Sequence, residues 1–208
     1  MNVNNTKEKI SSVAVDLFSK EGYNQISMRK IAETVGIREA SIYYHYSKKK
    51  DILDSIFLYF RENMNQTSII PEAEEKLLNE SPMALYHFGS EAVKSQFKSI
   101  TMVKILRLIF IEIYHNDKIK EFFKKELFDG IMEFWTLLFQ NFMDKGIIMK
   151  DDPKKLAESY YNYSMFKMFE TVVIKYPEDP SELNLDSVFN NIEDHFNFIL
   201  SYMSTDMV

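Results

Sequence analysis

The sequence predicts an all-α protein, with one helical domain in residues 1–48 and a larger one in residues 49–208. Apolar residues recur three or four positions apart, as Ile10 and Ala14 do, which is the spacing of one helix face. Glycine and proline interrupt these runs, as Gly22 does, and they mark where helices end or begin. A hydrophobic content of 46% in 208 residues is sufficient for a small domain and a larger core.

The net charge of −6 is distributed unevenly along the chain. Residues 1–50 contain nine Lys and Arg against five Asp and Glu, a balance of +4, which leaves −10 for the rest. Phosphate attracts a basic surface and is repelled by an acidic one. A nucleic-acid surface is therefore expected in the first part of the chain and not in the second.

Composition also excludes several classes of protein. Cysteine is absent, so neither a disulfide framework nor a thiolate metal site is possible. The first residues lack the apolar core of a signal segment, and no later run approaches a membrane span. We expect a cytoplasmic protein with no membrane partner.

The first two helices have clear boundaries. Residues 6–21 form the first helix, which Thr6 can cap and Gly22 ends. The second begins near Ser27 and ends at Gly36, a residue that tolerates the left-handed turn conformation. Their apolar stripes are Ile10, Val13, Ala14, Leu17 and Phe18 in the first and Met28, Ile31, Ala32 and Val35 in the second.

The stretch GIREASIYYHYSKKK, residues 36–50, concentrates side chains that bond to nucleic acid. Its lysines at 48–50 stand where Ser47 could cap a further helix, and cations there oppose the helix dipole. An anion such as phosphate is therefore expected at that point. Alternatively, SIYYHY is a β-prone strand and the lysines are an ordinary solvated face. The amphipathic run, the glycine and the second short segment favour a helix-turn-helix.

A longer pattern covers residues 7–53. It consists of Ala14, Leu17, Phe18, Gly22, Tyr23, Ser27, Arg29, Ile31, Ala32, Val35, Gly36, Ile37, Ser41, Ile42, Tyr43, His45, Tyr46, Lys49 and Leu53. This combination resembles the DNA-binding domain of the tetracycline repressor (TetR/AcrR) family. Two residues depart from the family pattern: Tyr46 replaces the usual phenylalanine, and Ala40 stands where a small residue, often glycine, is usual.

The resemblance implies a fold and a set of DNA contacts. The fold is an N-terminal three-helix helix-turn-helix domain followed by a C-terminal helical domain for ligand binding and dimerisation. Arg29, Arg38 and Glu39 are expected to face base edges of double-stranded DNA. The residues expected to hold phosphates are Ser27, Ser41, Tyr43, His45 and Lys49.

Further helices are predicted in the second domain. The fourth helix should run from Lys48 to about Gln66, and the body should begin near Thr67. A short acidic helix or loop follows at 71–80, where Pro71 suits a first helical turn. The remaining predicted helices are Met83 to Lys98, Thr101 to His115, Lys118 to Lys145, Pro153 to Lys175 and Asp186 to Met203.

A homodimer and a small-molecule ligand are expected from the second domain. One recognition helix reads few base pairs, so a dimer on a palindromic operator is the usual solution. The last two helices carry apolar residues on more than one face, which suits a two-fold interface. Aromatic residues with polar tips favour a pocket for a small hydrophobic effector. The candidate lining residues are Tyr86, Arg107, Phe110, Tyr114, Trp135, Phe139, Tyr161 and Met165.

Two rival functions remain open. One is a DNA-binding protein of the same fold whose body binds a protein or has an architectural role, without a ligand. The other is a helical metal enzyme that uses Glu112 and His115, a spacing found in di-iron bundles, with His87 and Glu91 as a weaker pair. The sequence holds one Glu-x-x-His pair where such a site needs two, so we expect no enzyme, no metal and no cofactor. The preferred interpretation is a repressor that its effector releases from DNA.

Overall fold

The computed structural model describes residues 3–65 and 81–204 of the chain. The expected end of the fourth helix at Gln66, the start of the body at Thr67 and the segment 71–80 lie outside the described residues. Ten α-helices occur in the described part. They are α1 (Val3–Glu21), α2 (Met28–Val35), α3 (Glu39–His45), α4 (Lys49–Asn65), α5 (Pro82–Phe97), α6 (Ile100–Glu112), α7 (Asp117–Phe122), α8 (Gly130–Asp144), α9 (Pro153–Phe169) and α10 (Leu185–Tyr202).

Wider π-helical turns join or extend some of these helices. The turn Phe123–Asp129 joins α7 to α8, and Glu170–Ile174 extends α9. With these segments included, the helices predicted from Lys118 and from Pro153 agree with the structure to within one residue. The described residues form no named β-strand, and the all-α prediction is confirmed.

Local signals account for most helix ends. Asp152 accepts hydrogen bonds from the N–H groups of Lys154 and Lys155, and Pro153 occupies the first helical position. Ser81 caps α5 by accepting from Ala84 at 3.0 Å.

Two predicted helix boundaries and one predicted cap are wrong. The first helix begins at Val3 and not after Thr6, because no proline or glycine ends the helical run before it. The fourth begins at Lys49, so the capping position falls at Lys48 and not at Ser47.

The cap of α4 is supplied from within the helix. Asp51 accepts a hydrogen bond from the backbone N–H of Lys48 at 3.2 Å, which is the return half of a capping box. The second wrong boundary is the end of α6, which stops at Glu112 and not at His115. A new helix starts there because the side-chain oxygen of Asn116 accepts from the N–H of Lys118.

The described residues form two compact units, which differ from the predicted division at residues 48 and 49. The first unit contains α1 to α4 together with residues 96–120, so it includes α6. The second contains residues 81–95 and the residues from 121 onward. The division at 48 and 49 concerns function and stays a prediction.

In the first unit, α6 is buried on most of its surface and packs against α1 and α4. The fully buried side chains of this unit include Phe18, Ile31, Ile42 and Phe60. In the second unit, α9 packs between α8 and α10. Its core contains Phe139, Phe142 and Phe196, each fully buried.

Candidate nucleic-acid interface

The turn between α2 and α3 has the geometry that the sequence predicts. Gly36 has φ 81° and ψ 34°, the left-handed conformation, and its N–H bonds to the carbonyl of Ala32 at 3.0 Å. A Cβ on Gly36 would meet no atom within 4 Å, so glycine is needed there for its backbone conformation alone. Ala32 is buried on α2, which packs against α3. The helix-turn-helix is confirmed, and the strand alternative for SIYYHY is wrong.

Helix α3 presents nearly all of its side chains to solvent. Ile42 is its one buried residue and anchors the helix to the domain. Tyr43 is 48% exposed and Tyr44 is 79% exposed. Glu39 and Ser41 are exposed as well. A short helix held by one apolar residue and exposed elsewhere is suited to entering a groove of DNA.

Two predicted DNA contacts on α2 have partners within the chain. The hydroxyl of Ser27 accepts from the N–H of Lys30 at 3.1 Å and so caps α2. The guanidinium of Arg29 donates to Glu33 at 2.9 Å, and this hydrogen bond raises the pKa of Arg29. Both side chains of this pair are largely exposed, so solvent screens the interaction.

Lys49, predicted to hold a phosphate, is engaged with the turn before α2. Its ammonium donates to the carbonyl oxygens of Tyr23 and Ile26, each at 2.8 Å. It also lies 4.2 Å from the centre of the Tyr23 ring. Burial lowers the pKa of Lys49, and the negative charge of Glu112 acts in the opposite direction. Two of its three hydrogens are therefore used inside the protein, a role that local sequence did not indicate.

The neighbouring lysines are more exposed. Lys48 lies 4.0 Å from Asp51, and Lys50 lies on the surface beside Lys118. The proximity of the Lys118 ammonium lowers the pKa of Lys50. Positive charge at the start of α4 is thus carried at the surface mainly by Lys48 and Lys50.

Three of the predicted ligand residues of the second unit, Tyr86, Trp135 and Phe139, belong to a packed aromatic cluster. The ring of Tyr86 stacks on that of Phe196 at 4.5 Å, and the ring of Trp135 lies 4.2 Å from that of Tyr160. Phe139 is fully buried beside them. Burial raises the pKa of Tyr86 to about 12, which keeps its hydroxyl protonated. The rings of this cluster thus pack directly against one another.

Tyr161 and Met165 complete the candidates in the second unit. The hydroxyl of Tyr161 donates to the carbonyl of Leu127 in the π-helical turn, where regular helix bonding is interrupted. Burial raises the pKa of Tyr161. Met165 is half-buried on α9. The polar tip of Tyr161 is satisfied by the fold.

The other three candidates lie in the first unit. Arg107 donates to the carbonyl of Ser19 at 3.0 Å and so joins α6 to α1. Tyr114 is 88% exposed, and Phe110 is half-buried on α6. The eight residues are therefore not gathered into one site within either unit.

The second unit contains a groove that the sequence did not predict. It has a volume of about 520 Å³ and lies between residues of α8 and α9, with Met132, Leu137 and Glu158 among its lining. None of the eight predicted ligand residues lines it. The i, i+4, i+8 spacing of Lys154, Glu158 and Asn162 was the available signal.

The residues of the proposed metal enzyme are not arranged as a site. Glu112 is buried and accepts from the N–H of Tyr23, whereas His115 is exposed. Within residues 3–65 and 81–204, no group of three or more His, Cys, Asp or Glu side chains is placed to hold a metal ion. His87 lies 3.8 Å from Glu193, as a surface pair.

Comparison with known proteins agrees with this geometry. The sequence pattern of the bacterial regulatory proteins of the tetR family matches residues 10–61, which contain α2, α3 and their turn. Residues 10–61 are therefore a tetR-family domain. One curated relative is the biofilm operon icaADBC HTH-type negative transcriptional regulator IcaR of Staphylococcus aureus, 34% identical over 87 residues. The match covers 42% of this chain and 45% of IcaR. The chain spans less than half the length of the first curated relatives that it matches.

Solved structures extend the likeness in fold to 98% of this chain. The ketosteroid transcriptional regulator KstR2 of Mycobacterium tuberculosis has a TM-score of 0.65 at 14% identity and covers 98% of this chain and 97% of its own. A complex of SmeT with triclosan has a TM-score of 0.60 at 14% identity, with coverage of 98% and 93%. In the part of the chain that the structure describes, no helix is both long and apolar enough to cross a membrane.

Proposed function

We propose that this tetR-family chain is a transcription regulator that binds double-stranded DNA through α2 and α3. The observation that carries the proposal is the exposure of α3, where Ile42 alone is buried and polar or aromatic side chains face solvent. The positive balance of residues 1–50 suits the same partner. The functional division at residues 48 and 49 separates this domain from the body.

The proposed DNA contacts are of two kinds, those with bases and those with phosphates. Arg29 and Arg38 suit the O6 and N7 atoms of guanine, and Glu39 can accept from N4 of cytosine. Arg29 must exchange its partner Glu33 for DNA when it does so. The proposed phosphate contacts are Ser27, Ser41, Tyr43, His45 and Lys49, with Lys49 limited to its remaining ammonium hydrogen.

We further propose a two-fold dimer through α9 and α10 on a palindromic operator. Phe198 is 63% exposed and Tyr202 is 68% exposed on α10, and Phe166 is exposed on α9. The rings of Tyr163 and His195 stack at 4.1 Å on these two helices. Exposed aromatic residues of this number favour a protein interface. In a dimer, one copy of this surface would cover the other.

A small hydrophobic effector is proposed to release the protein from DNA. KstR2 is named for ketosteroids and SmeT was solved with triclosan, so apolar small molecules suit this fold. A shift from 99% competent to 99% incompetent needs about 5.5 kcal/mol of differential binding. The second candidate function is a ligand-free regulator of the same fold, which the packing of Tyr86, Trp135 and Phe196 favours.

DNA binding can be tested without knowledge of the operator. The purified protein is used to select duplexes from a randomised pool, and affinity for the selected duplex is measured over a series of salt concentrations. We expect a palindromic selection and a logarithmic salt dependence with a negative slope. Arg38→Ala should lose the preference for the selected duplex over a scrambled one. Failure to enrich any sequence would overturn the proposal.

The effector proposal has its own test. Apolar compounds are screened for a rise in melting temperature, and the operator affinity is then measured with each hit. A compound that binds and weakens operator binding supports release by a ligand. If hits leave operator affinity unchanged, or if no compound raises the melting temperature, the ligand-free function is the better one.

A further inference from the structure

Glu112, the last residue of α6, holds its carboxylate in a place where carboxylates are rarely found. The residue is 6% exposed, and its Oε1 accepts a hydrogen bond from the backbone N–H of Tyr23 at 2.9 Å. Its Oε2 is buried and has no hydrogen-bond partner among residues 3–65 and 81–204. Burial of a charged group without full compensation is costly, and a position at the C-terminal end of a helix adds to the cost. Packing alone does not explain an acidic residue here.

Glu112 and Lys49 both form hydrogen bonds to the backbone of the turn at residues 22–26. Glu112 binds the N–H of Tyr23, and Lys49 binds the carbonyl of the same residue and that of Ile26. Gly22 precedes Tyr23 with φ 88°, and a Cβ on it would lie 2.9 Å from Oε1 of Glu112. Glycine is required there both for the backbone conformation and for the approach of the carboxylate. The backbone of residues 22–26 is therefore fixed by side chains distant in sequence.

This turn leads directly into the DNA-reading helices. Ser27, the residue after the turn, is the N-cap of α2, and α2 packs on α3. A displacement of Tyr23 or Ile26 moves the start of α2. The exposed face of α3 then changes its position relative to the rest of the domain.

Helix α6 lies beside α1, and two further contacts join the two helices. Lys104 binds Asp16 at 2.7 Å, and Arg107 binds the carbonyl of Ser19. The residue numbers of these contacts increase together along the two helices, so α6 and α1 run in the same direction. Glu112 thus arrives at the end of α1, where the turn begins.

We propose that Glu112 is a positioning residue for DNA recognition. Its carboxylate fixes the turn at residues 22–26 and so sets the orientation of α2 and α3 for a specific sequence. The inference rests on the proposed function, because it concerns how the same DNA-reading helices are held.

The test compares specific with non-specific DNA binding in three variants. Glu112→Ala removes the acceptor, Glu112→Gln keeps an acceptor of the same reach, and Lys104→Met breaks another tie between α6 and α1. Affinities are measured for the duplex selected by the wild-type protein and for a scrambled duplex of equal length. Amide exchange at Tyr23 is measured without DNA, and the melting temperature of each variant is recorded.

We expect Glu112→Ala to reduce the ratio of specific to non-specific affinity about tenfold and to accelerate amide exchange at Tyr23. Glu112→Gln should keep the ratio within about threefold, because its amide oxygen replaces Oε1. Lys104→Met should lower the melting temperature and leave the ratio unchanged. If Glu112 contributes to stability alone, Glu112→Ala should reduce the specific and the non-specific affinity equally. Glu112→Ala and Lys104→Met should then have the same effect on the affinity ratio.

Several results would overturn the inference. An unchanged affinity ratio in Glu112→Ala would do so, as would an equal loss in Glu112→Gln or in Lys104→Met. If Glu112→Ala does not fold, Glu112→Asp replaces it, since the shorter carboxylate cannot keep the 2.9 Å contact. If the wild-type protein selects no duplex, the proposed function fails. Unaltered amide exchange at Tyr23 in Glu112→Ala would by itself refute the positioning role.

Discussion

The carboxylate of Glu112 occupies the space beside Gly22, so that a Cβ on the glycine would stand 2.9 Å from Oε1. The carboxylate is fixed by its bond to Tyr23 and by burial, and it cannot move aside freely. Gly36 has a similar positive φ, but its surroundings are open. Substitution of Gly36 therefore measures the cost of backbone strain alone, and substitution of Gly22 measures the cost of strain together with crowding.

Gly22→Ala should destabilise the fold more than Gly36→Ala. The left-handed conformation costs either alanine about 1 to 2 kcal/mol. Crowding against Glu112 adds about 1 to 3 kcal/mol at Gly22 only. Urea unfolding measures both. In a Glu112→Ala background the difference between the two glycine positions should shrink, and persistence of the full difference would show that crowding is not its cause.

Lys49→Met should lower the free energy of unfolding by about 1 to 2 kcal/mol, because two carbonyls lose a charged donor. Lys48→Met is the control, since Lys48 lies at the surface beside Asp51. Urea unfolding of both variants checks this, and it must precede any DNA measurement on Lys49. Equal stability of the two variants would contradict the role of Lys49 in the turn.

Glu33→Gln should strengthen binding to the selected duplex by about twofold to fivefold. The substitution releases Arg29 from its pair and removes a negative charge from α2, which is proposed to face DNA. Anisotropy titration measures the gain. In the Arg29→Ala background the release component should vanish. A gain that is equally large there would show that charge repulsion, and not the freeing of Arg29, is responsible.

Phe198→Glu should weaken the proposed dimer at least tenfold, because a two-fold interface buries each new charge twice over. The fold should tolerate the change, since the ring is largely exposed. Sedimentation at micromolar concentration tests this. Tyr114→Glu introduces the same charge at an exposed aromatic position of the first unit and should remain dimeric. A dimeric Phe198→Glu protein would place the interface elsewhere.

Stability should fall as the pH rises from 10 to 12, with Tyr86 as one cause. Its pKa is raised from 10.0 to about 12 by burial, so the folded state keeps a proton that the unfolded state loses in this interval. Its contribution is fully present below pH 10 and is lost as pH approaches 12. Tyr86→Phe should unfold with a shallower pH dependence than the wild type. An equal pH dependence of the two proteins would rule out Tyr86 as a cause.

The sequence by itself determined the helix-turn-helix and most helix boundaries. Gly36, the Asp152 cap and Pro153 act within a few residues of their own positions, and the spacing of apolar residues reports which face of a helix is buried. Signals of this kind are local, so they can be deduced without the path of the chain. The same locality explains why the cap of α4 was misplaced by only one residue.

Tertiary structure alone decided the partners of Lys49, Arg107 and Glu112. Lys49 meets carbonyls 26 and 23 positions away, Arg107 meets one 88 positions away, and Glu112 meets an N–H 89 positions away. The sequence suggested a phosphate, a ligand and a metal for these three residues, because each type of side chain suits such a partner in isolation. A charged side chain bonds to whichever complementary group the fold brings within about 3 Å. That choice depends on how α1, α4 and α6 pack and on no local pattern.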